Sequence, residues 1–287
     1  MTAELGDPSG ELGTMPLGEL LVVYGNWRSR RIPAHPRRVH WSAELKLSSK
    51  MTEHRAALRA IADKTAKGQD LTPHLSDRVA VAYEPAGTRE SSTHLRRDRD
   101  LMLASWGVHH LHLSTISGNR PAPFLAGTGD LLYTCFTTGD AFFIGVFDHN
   151  SWSLKEVLTI VVRNWPDAGL VLGPLPDANL DVAVSDPERA RIRKAGGSLL
   201  EEIDGRVYLP PGQTLAGTPI HVSRARMRIL ETLRQWRDHL AANPEALDEV
   251  AGISSANPTG APWEPRISGD EFGFEREGQF VALDRFP

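Results

Sequence analysis

Apolar positions along the chain change period several times, and each change marks an element. Leu20-Leu21-Val22-Val23-Tyr24 is a continuous apolar run closed by Gly25-Asn26, which predicts a short buried strand, and the alternation from Arg37 to Leu45 predicts its partner. Leu58, Ile61, Ala62 and Thr65 recur at helical spacing, so a helix is expected from an N-cap at Thr52 to about Lys67, with Gly68 as its stop. A second helix is expected from Ser92 to Trp106, ended by Gly107. Three strongly β-prone runs follow, Val108–Ser114, Leu131–Thr137 and Ala141–Asp148, the last two joined by the tight turn Thr138-Gly139-Asp140. Ser153 and Glu156 have the spacing of a capping box, and the helix they open carries Leu154, Val157, Leu158 and Val161 inward before Asn164-Trp165-Pro166 stops it. Asp186-Pro187-Glu188 opens a short basic helix, Glu202–Tyr208 turns at Asp-Gly as a hairpin, and Val222–Ala242 forms the longest amphipathic helix.

These elements predict an α+β fold: a small antiparallel sheet, a three-strand meander, flanked by helices and followed by a helical C-terminal extension. Residues 1–17 lack apolar periodicity and read as a mobile leader, 18–170 as the α+β core domain, and 186–287 as a helical and hairpin region with an acidic tail. The Gly- and Pro-rich stretch at 170–185 is the expected boundary.

Composition narrows the setting. A chain of 287 residues with 40% hydrophobic and 24% charged residues can bury a core without staples. The single thiol, Cys135, cannot form an internal disulfide, and the N-terminus has neither the basic start nor the apolar stretch of a signal peptide, so a cytoplasmic protein without a membrane span is expected. The net charge of −4 is unevenly spread: residues 20–50 carry seven Lys/Arg against one Glu, residues 243–287 nine Asp/Glu against three Arg. Such asymmetry suits a polyanion-binding face at one end and an acidic segment at the other.

The candidate chemistry centres on histidine. His109, His110 and His112 fall in one predicted strand, and the two-residue period puts His110 and His112 on one face with His109 on the other. With His149, they offer groups that titrate near neutral pH and can exchange protons with a ribose 2′-hydroxyl or a leaving oxygen, while Arg99 and Arg163 supply charge for phosphate. The same imidazoles can hold a divalent metal such as zinc, although no HExxH or CxxC spacing accompanies them. Arg28, Arg30 and Arg31, interleaved with Tyr24, Trp27 and Trp41, form the basic and aromatic mixture that holds phosphates and stacks bases. The phosphate loop, the dinucleotide fingerprint and the nucleophile elbow are all missing from the sequence, which argues against nucleotide hydrolysis and Rossmann redox chemistry.

The order helix, Trp106–Leu113 strand, Leu131–Phe136 strand, Gly139-Asp140 turn, Ala141–Asp148 strand and capped helix resembles the core of bacterial RelE/ParE-type toxins over about 70 of the 287 residues. The resemblance implies a small curved sheet that cleaves mRNA through basic, Tyr or His residues on its face, and a partner such as an antitoxin. By position it puts His112 where the first meander strand often carries an Arg, and His149 just after the last strand. The chain departs from the family in its length, in Asn150-Ser151-Trp152 where a basic loop is usual, and in a second strand without its usual Arg.

The leading expectation is therefore an RNA-acting protein, a metal-independent endoribonuclease of the toxin or defence type, needing no cofactor. Here His110, His112 and His149 perform catalysis while Arg28, Arg30, Arg31, Arg99 and Arg163 bind substrate. The alternatives are a non-catalytic module that binds nucleic acid or protein, and a zinc-dependent hydrolase built on the same histidines.

Overall fold

The computed structural model describes residues 14–80, 100–120, 122–243, 245–252, 262–268 and 271–285. By internal contacts the chain separates into two compact units, residues 28–220 and residues 1–27 with 221–287. The stretch at 170–185, where a boundary was expected, falls inside the first of these units.

The 28–220 unit is organised by a four-stranded sheet, β1 (Arg38–Trp41), β2 (His109–His112), β3 (Asp130–Phe136) and β4 (Asp140–Asp148), in the order β1-β4-β3-β2. The expected antiparallel meander β2-β3-β4 is present, but the sheet is mixed rather than wholly antiparallel because β1 adds to β4 in parallel, Arg38 opposite Asp140. Both faces are covered, which explains why β3 and β4 read as nearly unbroken apolar runs. Leu131, Tyr133, Cys135, Phe142 and Ile144 face one way, into a cluster with Val157, Leu158 and Val161 of a helix over Lys155–Asn164. Leu111, Leu132, Ala141 and Phe143 face the other way, against Leu58 and Ile61 of a helix over Arg55–Ala66.

We number the helices α1 (Leu17–Ser29), α2 (Ala43–Leu47), α3 (Ser49–Glu53), α4 (Arg55–Ala66), α5 (Leu101–Trp106), α6 (Lys155–Asn164), α7 (Asp186–Lys194), α8 (Ile220–Ala242) and α9 (Ala246–Val250). Several differ from expectation for identifiable reasons. Leu20–Tyr24 lies in α1 and is not a strand: Leu17, Leu20, Leu21 and Tyr24 follow the i, i+3, i+4, i+7 spacing, and Leu20, Leu21 and Tyr24 are buried. The predicted partner strand is confined to β1, because Ser42 turns the chain: its hydroxyl donates to the Ile144 carbonyl and accepts the Leu45 amide, capping α2. Thr52 is no cap but sits inside α3, whose cap is Ser48, and the chain breaks at His54 before α4. The Ser153–Glu156 box does not form. Ser151–Ser153 is a 3₁₀ turn whose Ser151 hydroxyl donates to Asp148 Oδ1, and the free amide of Lys155 is met from outside by Asp186 Oδ1 at 2.9 Å. A capping box forms instead at Ser185 and Glu188 of α7. Gly107 ends α5 in the left-handed conformation, φ 68°, as its position predicted. The part of the predicted Ser92–Trp106 helix before residue 100 lies outside the described residues, as does most of the expected leader.

The hairpin β5 (Glu201–Ile203) and β6 (Arg206–Tyr208) turns at Asp204-Gly205 with both φ positive, and Ile203 and Tyr208 join the α6 side of the core. In the other unit, α8 puts Leu233, Trp236 and Leu240 against Leu247, Phe274 and Val281. The C-terminal region is thus only partly helical. It ends in an antiparallel sheet of β7 (Glu264–Ser268), β8 (Glu271–Arg276) and β9 (Gln279–Arg285). No helix among the described residues is long and apolar enough to cross a membrane.

Candidate active site

Strand β2 is an edge strand, so the side chains on its α6-side face have a neighbour on only one flank. Leu111 turns into the opposite core, which sends His110 and His112 to the open side, beside Tyr133 and Leu131 of β3. There they line a cleft of about 510 Å³, together with Asp100, Met102, Trp152, Lys194, Arg30, His109 and His149. A concave site with an apolar wall and a few converging polar groups is the usual form of a binding or catalytic pocket.

Each histidine is held in a distinct state. His110 Nδ1 lies 3.2 Å from Asp100 Oδ2, and Asp100 is also the N-cap of α5, its Oδ1 accepting the Leu103 amide at 2.9 Å. Burial pulls the imidazole pKa down, but the adjacent Asp100 charge and hydrogen bond outweigh it, so the His110 pKa is raised. Asp100 is correspondingly lowered: burial opposes its charge, and His110 with the Leu103 amide overcomes that opposition. His112 behaves in the opposite way. It is 7% exposed, its Nδ1 accepts the Thr128 amide at 3.0 Å, and burial followed by the positive charges of Arg120, His110 and His149 pushes its pKa down to about 4. Its one proton therefore sits on Nε2 at neutral pH.

Thr128 connects two of the rings. Its amide serves His112 and its carbonyl lies 3.1 Å from His149 Nε2, while its hydroxyl donates to the Asp130 carbonyl and accepts the Leu113 amide. His149 is exposed, and with Nε2 donating to that carbonyl its Nδ1 is the ring nitrogen left to accept; its centroid lies 5.9 Å from that of His112. Tyr133 closes the cleft wall, its hydroxyl donating to the Asp148 carbonyl at 2.9 Å; burial and the carboxylates of Asp100 and Asp148 push its pKa up, so it stays protonated.

Four of the predicted site residues meet here: His110, His112, His149 and Arg30. Arg28 and Arg31 are not among the cleft-lining residues, and Arg99 lies outside the described residues. Arg163 is committed elsewhere, its guanidinium bidentate on Asp204 at 2.8 and 2.5 Å. Arg37 is a strut, buried and donating to the Thr137 and Pro33 carbonyls. Asp100, Thr128, Trp152 and Lys194 were missed. Asp100 was legible only as an N-cap before an apolar helix. The other three carry no local signal, because their roles depend on which strand and turn they meet.

Among the described residues the trio whose ligand atoms converge closely enough for a metal is Glu53, His54 and Asp130, not the β2 histidines. Lys50 already occupies that trio, its ammonium 2.5 Å from Asp130 and 3.1 Å from Glu53, with His54 Nε2 2.8 Å from the same Asp130 oxygen. Cys135 is buried and its pKa is pushed up to about 12, which keeps it an inert thiol. Comparison of the chain with protein-family models, curated proteins and solved structures returns no match.

Proposed function

We propose that the β2 cleft is a metal-independent acid–base site that cleaves RNA. The observation that carries this reading is the Asp100–His110 pair, a half-buried carboxylate 3.2 Å from a histidine whose pKa it raises, opening on a cleft that also offers His112, His149 and two basic side chains. Phosphodiester cleavage by an internal hydroxyl needs one group to take a proton and another to return one, with positive charge near the phosphate.

In this reading His149 Nδ1 accepts the proton of the ribose 2′-hydroxyl, and that oxygen attacks phosphorus. The bond from phosphorus to the 5′-oxygen breaks, and the departing oxygen takes the proton from His110 Nε2. The products are a 2′,3′-cyclic phosphate and a 5′-hydroxyl; no redox partner is involved. His112, neutral with its proton on Nε2, donates a hydrogen bond to a non-bridging phosphate oxygen, and Lys194 and Arg30 balance the phosphate charge.

The test is cleavage of a single-stranded RNA oligonucleotide in the presence of EDTA, with identification of the product ends. Wild type should yield cyclic phosphate termini, and His110→Ala and His149→Ala should each lower the rate by about 10²-fold or more while melting near the wild-type temperature. Cleavage that EDTA abolishes, or that both variants retain, overturns the assignment. RNA retention without cleavage, weakening steeply with salt, would make the cleft part of a binding module.

A further inference from the structure

Arg193 on α7 is 2% exposed, yet among the described residues no carboxylate lies within ion-pair distance of it. Its neighbour one turn earlier, Arg189, is by contrast paired with both Glu201 and Asp186. A buried guanidinium without a direct counter-ion is costly, so its retention needs another explanation. Its carbon lies 4.1 Å from the ring centre of Trp106 and 5.1 Å from that of Trp152. Its two terminal nitrogens donate to the carbonyls of Leu101 and Trp152, each at 2.7 Å. Leu101 follows Asp100 directly, and both Leu101 and Trp152 line the cleft. One planar, rigid fork therefore ties together the start of α5, which carries Asp100, and the turn after β4, which carries Trp152.

We propose that Arg193 is a positioning residue that holds Asp100 in register with His110. The inference rests on the acid–base reading of the cleft. Burial lowers the Arg193 pKa to about 9, with Asp100 the strongest charge acting against that shift, so the fork stays protonated at neutral pH. Removing it frees the first turn of α5 to shift, and a shift of Asp100 by even a fraction of an ångström weakens the 3.2 Å contact that raises His110. Arg193 never reaches the cleft surface, so its effect passes through Asp100.

The groups facing His110 are Asp100 at the start of α5, His112 and His109 on its own strand, Tyr133 on β3 and His149 after β4, with Lys194 and Arg30 on the cleft wall. Loss of positive charge alone would raise the His110 midpoint, whereas loss of register lowers it, so the sign of the change separates the two. Arg193→Met and Arg193→Lys should be prepared in the full chain, and His110 titrated by NMR with a thermal melt on the same samples. R193M is expected to move the His110 midpoint down toward the ordinary histidine value, R193K to restore part of the shift, and RNA cleavage by R193M to lose about tenfold or more in kcat with little change in KM. An unchanged or raised midpoint in folded R193M overturns the proposal. Should R193M fail to fold, R193K carries the test: a smaller downward shift supports the proposal and an unmoved midpoint overturns it. If wild type cleaves no RNA the functional reading fails, while the His110 midpoint still judges the role of Arg193.

Discussion

Acidification offers a direct reading of the state assigned to His112. The perturbation is a fall in pH from 7 to 4, compared between wild type and His112→Asn, whose Oδ1 can keep the acceptor role of Nδ1 toward the Thr128 amide. In the folded protein His112 takes its proton only near pH 4, whereas in the unfolded chain it does so near 6.5. Between those values the unfolded state binds more protons, so stability contributed by the neutral ring is fully present above 6.5 and is lost as pH falls toward 4. A gap of 2.5 pH units at 1.36 kcal/mol per unit, with the folded ring half-protonated at pH 4, corresponds to about 3 kcal/mol. Other histidines and the carboxylates titrate in the same range, but they do so in both proteins, so the difference between the two isolates His112. Urea unfolding followed by tryptophan fluorescence at pH 7, 6, 5 and 4 should show the wild type losing about 3 kcal/mol more than H112N over that span. NMR should find the His112 ring still neutral at pH 5. A gap that does not change with pH, or a His112 midpoint near 6.5, refutes the reasoning.

Two further substitutions check other parts of the structure. Arg189→Met leaves Glu201 buried at 3% exposure without its partner, so a loss of about 3–5 kcal/mol is expected from denaturant unfolding; a loss below about 1 kcal/mol would mean that water reaches Glu201 in solution. Arg163→Gln removes an exposed pair with Asp204 away from the cleft, and is expected to leave both the melting temperature and RNA cleavage at wild-type values; a large loss of cleavage would restore Arg163 to the substrate-binding set.

What local pattern could reveal, the sequence revealed well. The meander β2-β3-β4, the Gly107 stop, the Asp204-Gly205 turn and the long amphipathic helix α8 all follow from periods and turn chemistry that act over a few residues. The same local view misread α1, because a short apolar run such as Leu20–Tyr24 suits a buried strand and a helix face equally well until its neighbours at i+3 and i+4 are counted. It also placed the capping box one helix too early. Ser153 has the right spacing, but it falls in the 3₁₀ turn Ser151–Ser153, and the Lys155 amide is capped from outside by Asp186, which only packing brings near.

The candidate site divides in the same way. That His110 and His112 share a face follows from the two-residue period of a strand, which the sequence by itself determines. Which face is open, and what each ring meets there, was decided by tertiary structure. The edge position of β2 depends on β1 joining the far side of the sheet, and the opposite pKa shifts of the two rings depend on one meeting a carboxylate from α5 and the other a buried site where it accepts the Thr128 amide. Residues ten and sixteen positions away from their histidines come into contact only once the sheet has closed. Hydrogen bonds and charge interactions act over a few ångströms of space, and separation along the chain does not record that distance.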